Sequence, residues 1–216
     1  MIDFDKIIDD YLLKEDKERT IGEYYCSELS NCYRQIWFKF KNPKPVDAAT
    51  RRIFERGNVM HEFVRNVLAR HPDTKVIQSE QSMRIPDTET GLVIAGRFDN
   101  LIEMKQGESV LVEVKSTKSL DYLTKPYPHH VMQIMPYLLI RKNMKGVILY
   151  IDNNLQIKTF EVAFDWDIFR QVILRARVIH KHLIENTIPP AECKTIEDKK
   201  WSCGYCNYAK ECNLMG

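Results

Sequence analysis

The chain has 216 residues, 29% of them charged and 44% apolar, with a formal net charge of +2. That length suits one domain with a real core, and the near-neutral balance excludes a globally basic nucleic-acid binder, so any contact with nucleic acid must be local. No run approaches the ~18 consecutive apolar residues of a membrane helix, and the acidic opening Met1-Ile2-Asp3-Phe4-Asp5 is unlike a signal peptide, so a cytoplasmic protein with no membrane partner is expected.

In chain order, residues 3–19 read as an amphipathic helix with Phe4, Ile7, Ile8, Tyr11 and Leu12 on one face. The first twenty residues hold seven acids against four bases, so the positive charge lies downstream. A second helix is predicted over 27–41, stopped by Asn42-Pro43-Lys44-Pro45. A long helix over 48–71 ends at Pro72, and strands follow at 75–85, 92–104 and 109–116. Residues 128–143 read as a helix that Pro136 should kink or displace. Strands at 146–151 and 156–163 flank Asp152-Asn153-Asn154, and Asp165 is placed to cap a last helix running to Asn186. Pro189-Pro190 opens an irregular, cysteine-bearing tail. Helices, then a mixed sheet, then helices imply a single α/β domain over 1–216.

The sharpest chemical feature is Asp99 followed fourteen residues later by Glu113-Val114-Lys115. In a strand over 109–116, Val110, Val112 and Val114 point one way, and Leu111, Glu113 and Lys115 the other. A three-residue loop, Lys105-Gln106-Gly107, with Gly107 left-handed, sets Ile102 against Val110, Phe98 against Val114 and Asp99 against Glu113. A loop one residue longer would turn Asp99 to the wrong side. Two carboxylates about 5 Å apart on adjacent strands suit an oxygen-seeking divalent cation, magnesium or manganese. Such an ion polarises a phosphoryl oxygen and acidifies a bound water, while Lys115 orients that water or balances transition-state charge. The plain alternative is a surface hairpin with an ordinary Glu/Lys pair.

Six cysteines in an intracellular chain argue against a disulfide framework. Cys203 and Cys206 form a CxxC turn, and Cys212 lies six residues on, which is metal-ligand spacing. The fourth ligand is either Cys193 or Cys32, and four thiolates suit zinc or an iron–sulfur cluster alike. Cys26 and Cys193 have no partner at metal-ligand spacing and read first as buried small apolar side chains. Arg34, Arg51, Arg52 and Arg56, with Trp37, Phe38 and Phe40 nearby, form a basic stretch that could track a DNA strand. Solvated arginines over core aromatics are the other reading.

Several motifs occur together and in order: Cys32-Tyr33-Arg34, Gly57-Asn58-Val59-Met60-His61, Gly96-Arg97-Phe98-Asp99, Glu113-Val114-Lys115, Gln133-Ile134-Met135-Pro136-Tyr137, and the tail cysteines. This set resembles the RecB-like branch of the PD-(D/E)xK nucleases, and within it the fourth family of CRISPR-associated proteins, the iron–sulfur exonucleases of spacer acquisition. The resemblance implies a restriction-endonuclease-like mixed sheet flanked by helices, with a cysteine region formed by both chain ends, residues 20–45 and 190–216. It implies that Asp99, Glu113, the Val114 carbonyl and His61 hold magnesium or manganese, and that Lys115 is the catalytic lysine. Gln133 and Tyr137 would match the family's QxxxY element beside the site. Cys32, Cys203, Cys206 and Cys212 would hold a 4Fe–4S cluster. The expected function is metal-dependent hydrolysis of DNA, on single strands, and by the resemblance alone the processing of spacer precursors with the CRISPR integrase complex. The rival readings are a nuclease of recombinational repair and a non-catalytic adaptor that binds DNA ends.

Overall fold

A computed structural model of the chain describes residues 2–13, 18–141 and 145–214. In chain order the elements are α1 (Phe4–Leu12), β1 (Glu23–Tyr25), α2 (Tyr33–Lys41), α3 (Ala48–Arg70), β2 (Thr74–Pro86), β3 (Val93–Met104), β4 (Ser109–Ser116), α4 (Pro128–Ile140), β5 (Lys145–Ile151), β6 (Ile157–Val162), α5 (Trp166–Ile184), α6 (Glu192–Thr195), a 3-10 helix (Glu197–Tyr205) and α7 (Ala209–Leu214). They gather into two compact units. Among the described residues no helix is long and apolar enough to cross a membrane.

The first unit comprises Met1–Glu18, Pro45–Met83 and Arg97–Phe164. Its mixed sheet runs β3-β4-β5-β6, with β2 also paired to β3. β3 and β4 are antiparallel, β4 and β5 parallel, and β5 and β6 antiparallel. The β3–β4 hairpin has the expected register, with Ile102 opposite Val110. Met104 N–H donates to Glu108 O at 2.7 Å, and Gly107 turns the loop at φ +84°, a value glycine adopts without strain.

Alternation along β4 sorts its side chains onto two faces. Val110, Val112 and Val114 join Ile102, Leu149 and Ile151 in a core beneath Val64, Met60 and Leu68 of α3. α4 covers the opposite face. A Cβ at Gly146 would meet Ile134 Cδ1 at 2.9 Å and the Val162 carbonyl oxygen at 3.1 Å, so α4 and β6 leave room there only for glycine. Pro128 opens α4 at its first turn, where no N–H is needed. The helix continues through Pro136, which neither ends it nor shifts its start from Pro128, and Ile134, Met135, Tyr137 and Leu138 hold this stretch by burial.

α1 is shorter than predicted and ends at Leu12; residues 14–17, inside the predicted helix, lie outside the described residues, as do 142–144 at the predicted end of α4. Of the expected apolar face of α1 only Leu12 is buried, while Phe4, Ile7, Ile8 and Tyr11 are exposed. Arg52 of α3 reaches α1 through Asp9 at 2.8 Å and Asp5 at 3.0 Å.

The second unit comprises Arg19–Lys44, Arg84–Gly96 and Asp165–Gly216. β1, too short to stand out in the sequence, pairs in parallel with Val93–Ala95. The helix predicted from residue 27 begins at Tyr33 instead. Arg175 of α5 accounts for the difference. Its guanidinium donates to the carbonyls of Leu29 and Asn31 and lies 4.2 Å from the Tyr33 ring centroid, so those carbonyls are taken by a tertiary partner rather than by a helix. Glu192 receives Arg175 as a buried ion pair. The last helix starts as expected: Asp165 caps it by accepting from the N–H groups of Asp167 and Ile168. The tail is less irregular than predicted, since α6, the 3-10 helix and α7 lie within it.

Candidate active site and cysteine group

The β3–β4 ladder is hydrogen-bonded up to Asn100 and Val112. One step further, Asp99 departs from it: its Oδ2 accepts the Val114 N–H at 2.7 Å. The same carboxylate meets His61 from α3, with Asp99 Oδ1 and Nδ1 3.2 Å apart. Burial tends to lower the His61 pKa, but its hydrogen bond to Asp99 and the charges of Asp99 and Glu113 outweigh this and raise it.

Glu113 lies on the α4 face of β4 and is 1% exposed. Its Oε1 accepts from Lys115 Nζ at 2.9 Å and from Gln133 Nε2 at 2.6 Å. Gln133 Oε1 in turn accepts from Lys115 Nζ at 2.8 Å, closing a three-membered ring of hydrogen bonds. Glu113 Oε2 is buried with no hydrogen-bond partner. An orphaned carboxylate oxygen in the interior is costly. Burial and the neighbouring Asp99 charge push the Glu113 carboxyl up to about 7, against the pull of Lys115. A divalent cation would satisfy that oxygen and restore the ionised form, so the donor set fits magnesium or manganese.

One further carboxylate, which the sequence reading missed, belongs here. Glu80 of β2 stands with His61 and Asp99 so that one ligand atom from each lies within 4.8 Å of the others. Glu80 sits at φ +52°, a left-handed backbone for a non-glycine residue, and pairs with Arg97 at 2.7 Å. Its segment, Gln78-Ser79-Glu80-Gln81-Ser82, carries no motif, and only the irregular backbone at Glu80 marks it out. Tyr137 donates its hydroxyl to Arg97 O at 3.2 Å and packs on Phe98. At 2% exposure it braces β3 beneath the site.

The predicted residues His61, Asp99, Glu113, Val114, Lys115, Gln133 and Tyr137 are therefore together in the first unit. The basic stretch is not held together in the same way. Arg34 is buried in the second unit, where its Nε donates to Pro189 O at 3.1 Å and its Nη1 lies 3.6 Å from Cys212 Sγ. It pins the tail and offers no open face to a strand, which corrects its place among the DNA-tracking arginines. Arg51 donates to Val46 O, Arg52 is occupied by Asp5 and Asp9, and Arg56 buries its Nε without a hydrogen-bond partner.

In the second unit, Cys32 caps the start of α2, Cys203 lies in the 3-10 helix, Cys206 follows it, and Cys212 lies in α7. Burial raises the thiol pKa of Cys203, as do the charges of Cys32 and Cys212; Cys206 is raised by burial and by Cys32, Cys203 and Cys212. Cys193 is buried and adjoins Cys32. Lys194 Nζ and Arg34 Nη1 both reach Cys212 O, at 3.1 and 3.4 Å. Among the described residues, the trio of ligand atoms within 4.8 Å of one another is His61, Glu80 and Asp99, in the first unit.

Carboxylates, a lysine and a histidine gathered where two strands of a mixed sheet part are the equipment of a phosphodiester hydrolase. The chain belongs to the PD-(D/E)XK nuclease superfamily, whose model matches residues 9–213. It is 24% identical over 211 residues to the CRISPR-associated exonuclease Cas4 of Saccharolobus solfataricus, covering 96% of this chain and 94% of that protein. In fold it is similar to the crystal structure of SSO0001, with a TM-score of 0.64 at 22% identity, over 94% of this chain and 90% of that one. It is also similar to an alkaline exonuclease from Laribacter hongkongensis, with a TM-score of 0.56 at 14% identity, over 77% of this chain and 90% of the other.

Proposed function

We propose that this nuclease is a magnesium- or manganese-dependent exonuclease acting on single-stranded DNA. The observation that carries the reading is Glu113, a buried carboxylate with one oxygen held by Lys115 and Gln133 and the other without a partner, beside the Asp99–His61 pair. Asp99, Glu113 and His61, with Glu80 and the Val114 carbonyl in reach of the same space, would hold the ion. When bound, the ion supplies charge stabilisation at the phosphoryl group and an acidified water. Lys115 holds a proton-donating ammonium toward that space, and Gln133 fixes its direction. Tyr137 keeps the strand that bears Asp99 in place.

We further propose that Cys32, Cys203, Cys206 and Cys212 hold a 4Fe–4S cluster. The gathering of all four in the second unit, with Cys203 and Cys206 in a CxxC turn and Cys212 on the helix that follows, and the motif resemblance to iron–sulfur exonucleases support this over zinc. Joining Cys32 to the tail closes a loop of ~170 residues, a crosslink worth on the order of several kcal/mol in the chain-entropy model. The likeness to the Saccharolobus exonuclease supports a place in CRISPR adaptation, trimming spacer precursors beside the integrase proteins.

Labelled single-stranded DNA with manganese or magnesium tests the nuclease. Wild-type protein should degrade the strand from an end, and Asp99→Ala, Glu113→Ala and Lys115→Ala should not. Wild-type rates in all three variants would refute the site, and binding without metal-stimulated cleavage would favour a non-catalytic adaptor. Protein purified without oxygen should show a broad visible absorption band that bleaches on reduction; a colourless, zinc-loaded protein would refute the cluster.

A further inference from the structure

A cleft of about 520 Å3 opens in the first unit between α1, α3 and the end of β4, a volume in the range of small-ligand pockets. Two of its lining residues tie it to the proposed metal site. His61 is shared with that site, and Ser116 directly follows Lys115 on β4. Its apolar wall is Leu12, Ile53 and Phe54, and Phe54 is 58% exposed while Ile53 is 53% exposed. A large aromatic side chain held in the open on a regular helix, at the mouth of a cleft, is a platform rather than a core residue.

Its polar wall decides what it takes. Glu55 lines the cleft and accepts from Asn58 Nδ2 at 3.0 Å. Arg51 lines the same wall, so the charges there offset one another, which suits an uncharged ring with donor and acceptor groups better than a phosphate. We propose that this cleft is a nucleobase subsite, in which the base next to the scissile phosphate stacks on Phe54. The inference rests on the proposed nuclease function and adds where the substrate strand lies relative to the metal-binding residues. Because every base has a π-face, stacking on one aromatic ring is tolerant of sequence. The cleft therefore positions the strand without selecting it, and its loss weakens binding of the strand more than it slows the chemical step.

The test uses single-stranded DNA carrying 2-aminopurine at successive positions, with the full-length protein and EDTA present so that the strand stays intact. The fluorescence should be quenched when the probe occupies one position adjoining the cut bond. Phe54→Ala should abolish that quenching, and Phe54→Tyr should restore it. Gly57→Val should also abolish it, because a Cβ at Gly57 has only Ser116 Oγ nearby, at 3.8 Å, and the branched side chain would occupy the cleft. With metal, Phe54→Ala should raise KM about tenfold with kcat nearly unchanged. Quenching that persists in Phe54→Ala, or quenching at no position while the strand is still cut, overturns the subsite and leaves the nuclease reading intact. A wild-type protein that neither binds nor cuts the strand overturns both.

Discussion

Asp99 Oδ2 accepts the Val114 N–H at 2.7 Å, so a side chain of β3 completes the backbone pairing of β4 where the ladder itself has stopped. One carboxylate thereby serves fold and site, with Oδ1 left to face His61. The two duties separate on substitution. Asp99→Ala leaves the buried Val114 N–H without an acceptor, which costs about 1–3 kcal/mol. Asp99→Asn keeps an oxygen for that N–H and loses the charge. Urea unfolding should show the alanine variant destabilised by that amount and the asparagine variant near wild type, with both inactive on DNA.

Gln133 is engaged at both ends of its amide, donating to Glu113 and accepting from Lys115. It is a positioning residue. Gln133→Ala should lower kcat by about 10–100-fold, in line with the loss of other groups that orient metal ligands, with a much smaller change in KM. Gln133→Glu should do worse, since a further carboxylate would bring negative charge against Glu113 and leave no amide to donate. Steady-state kinetics on a short single strand would separate these outcomes; equal loss in KM and kcat would remove the positioning role.

Burial and the charge of Asp99 lift the Glu113 carboxyl from an ordinary 4.5 to about 7. Between those values the folded chain keeps a proton that the unfolded chain has released. Stability without metal is therefore greatest at the acidic end of this window and falls as pH rises through it, by roughly 1.4 kcal/mol per pH unit at most. His61, also raised, acts in the same direction. In EDTA, the Tm of wild type should fall relative to Glu113→Gln from about pH 5 to about pH 7. Saturating magnesium or manganese should cancel the difference, because the ion replaces the proton. Parallel Tm profiles for the two proteins would contradict the assignment.

The hairpin that carries the site was legible because three local signals agree: Gly107 supplies the left-handed turn, and the valines of β4 and the apolar residues of β3 fix one register. That register also sets Asp99 beside Glu113 and Lys115, whereas His61, Gln133 and Tyr137 were expected from the family resemblance, since nothing in their own spacing marks the site. Glu80 was not, because its approach to His61 and Asp99 depends on an irregular backbone at φ +52° inside β2. The start of α2 was misread because its competing partner, Arg175, lies far along the chain. Arg34 looked like a surface cation because charge is read as exposure, whereas Pro189 O and Cys212 provide it with a buried site.

Gly146 tests the packing of α4 on the sheet. Its added Cβ would press on Ile134 Cδ1 at 2.9 Å and Leu138 Cδ1 at 3.2 Å, which can shift, and on the Val162 carbonyl oxygen at 3.1 Å, which is fixed by the β5–β6 ladder. Gly146→Ala should therefore destabilise the chain by about 1–3 kcal/mol and tilt α4 outward. Because Gln133 rides on α4 next to Ile134, kcat should fall as well, while Gly107→Ala, strained by its φ but with open space around it, should lose stability without a comparable loss of kcat. Activity per folded molecule, measured for both variants well below their unfolding transitions, distinguishes a displaced helix from a weakened fold.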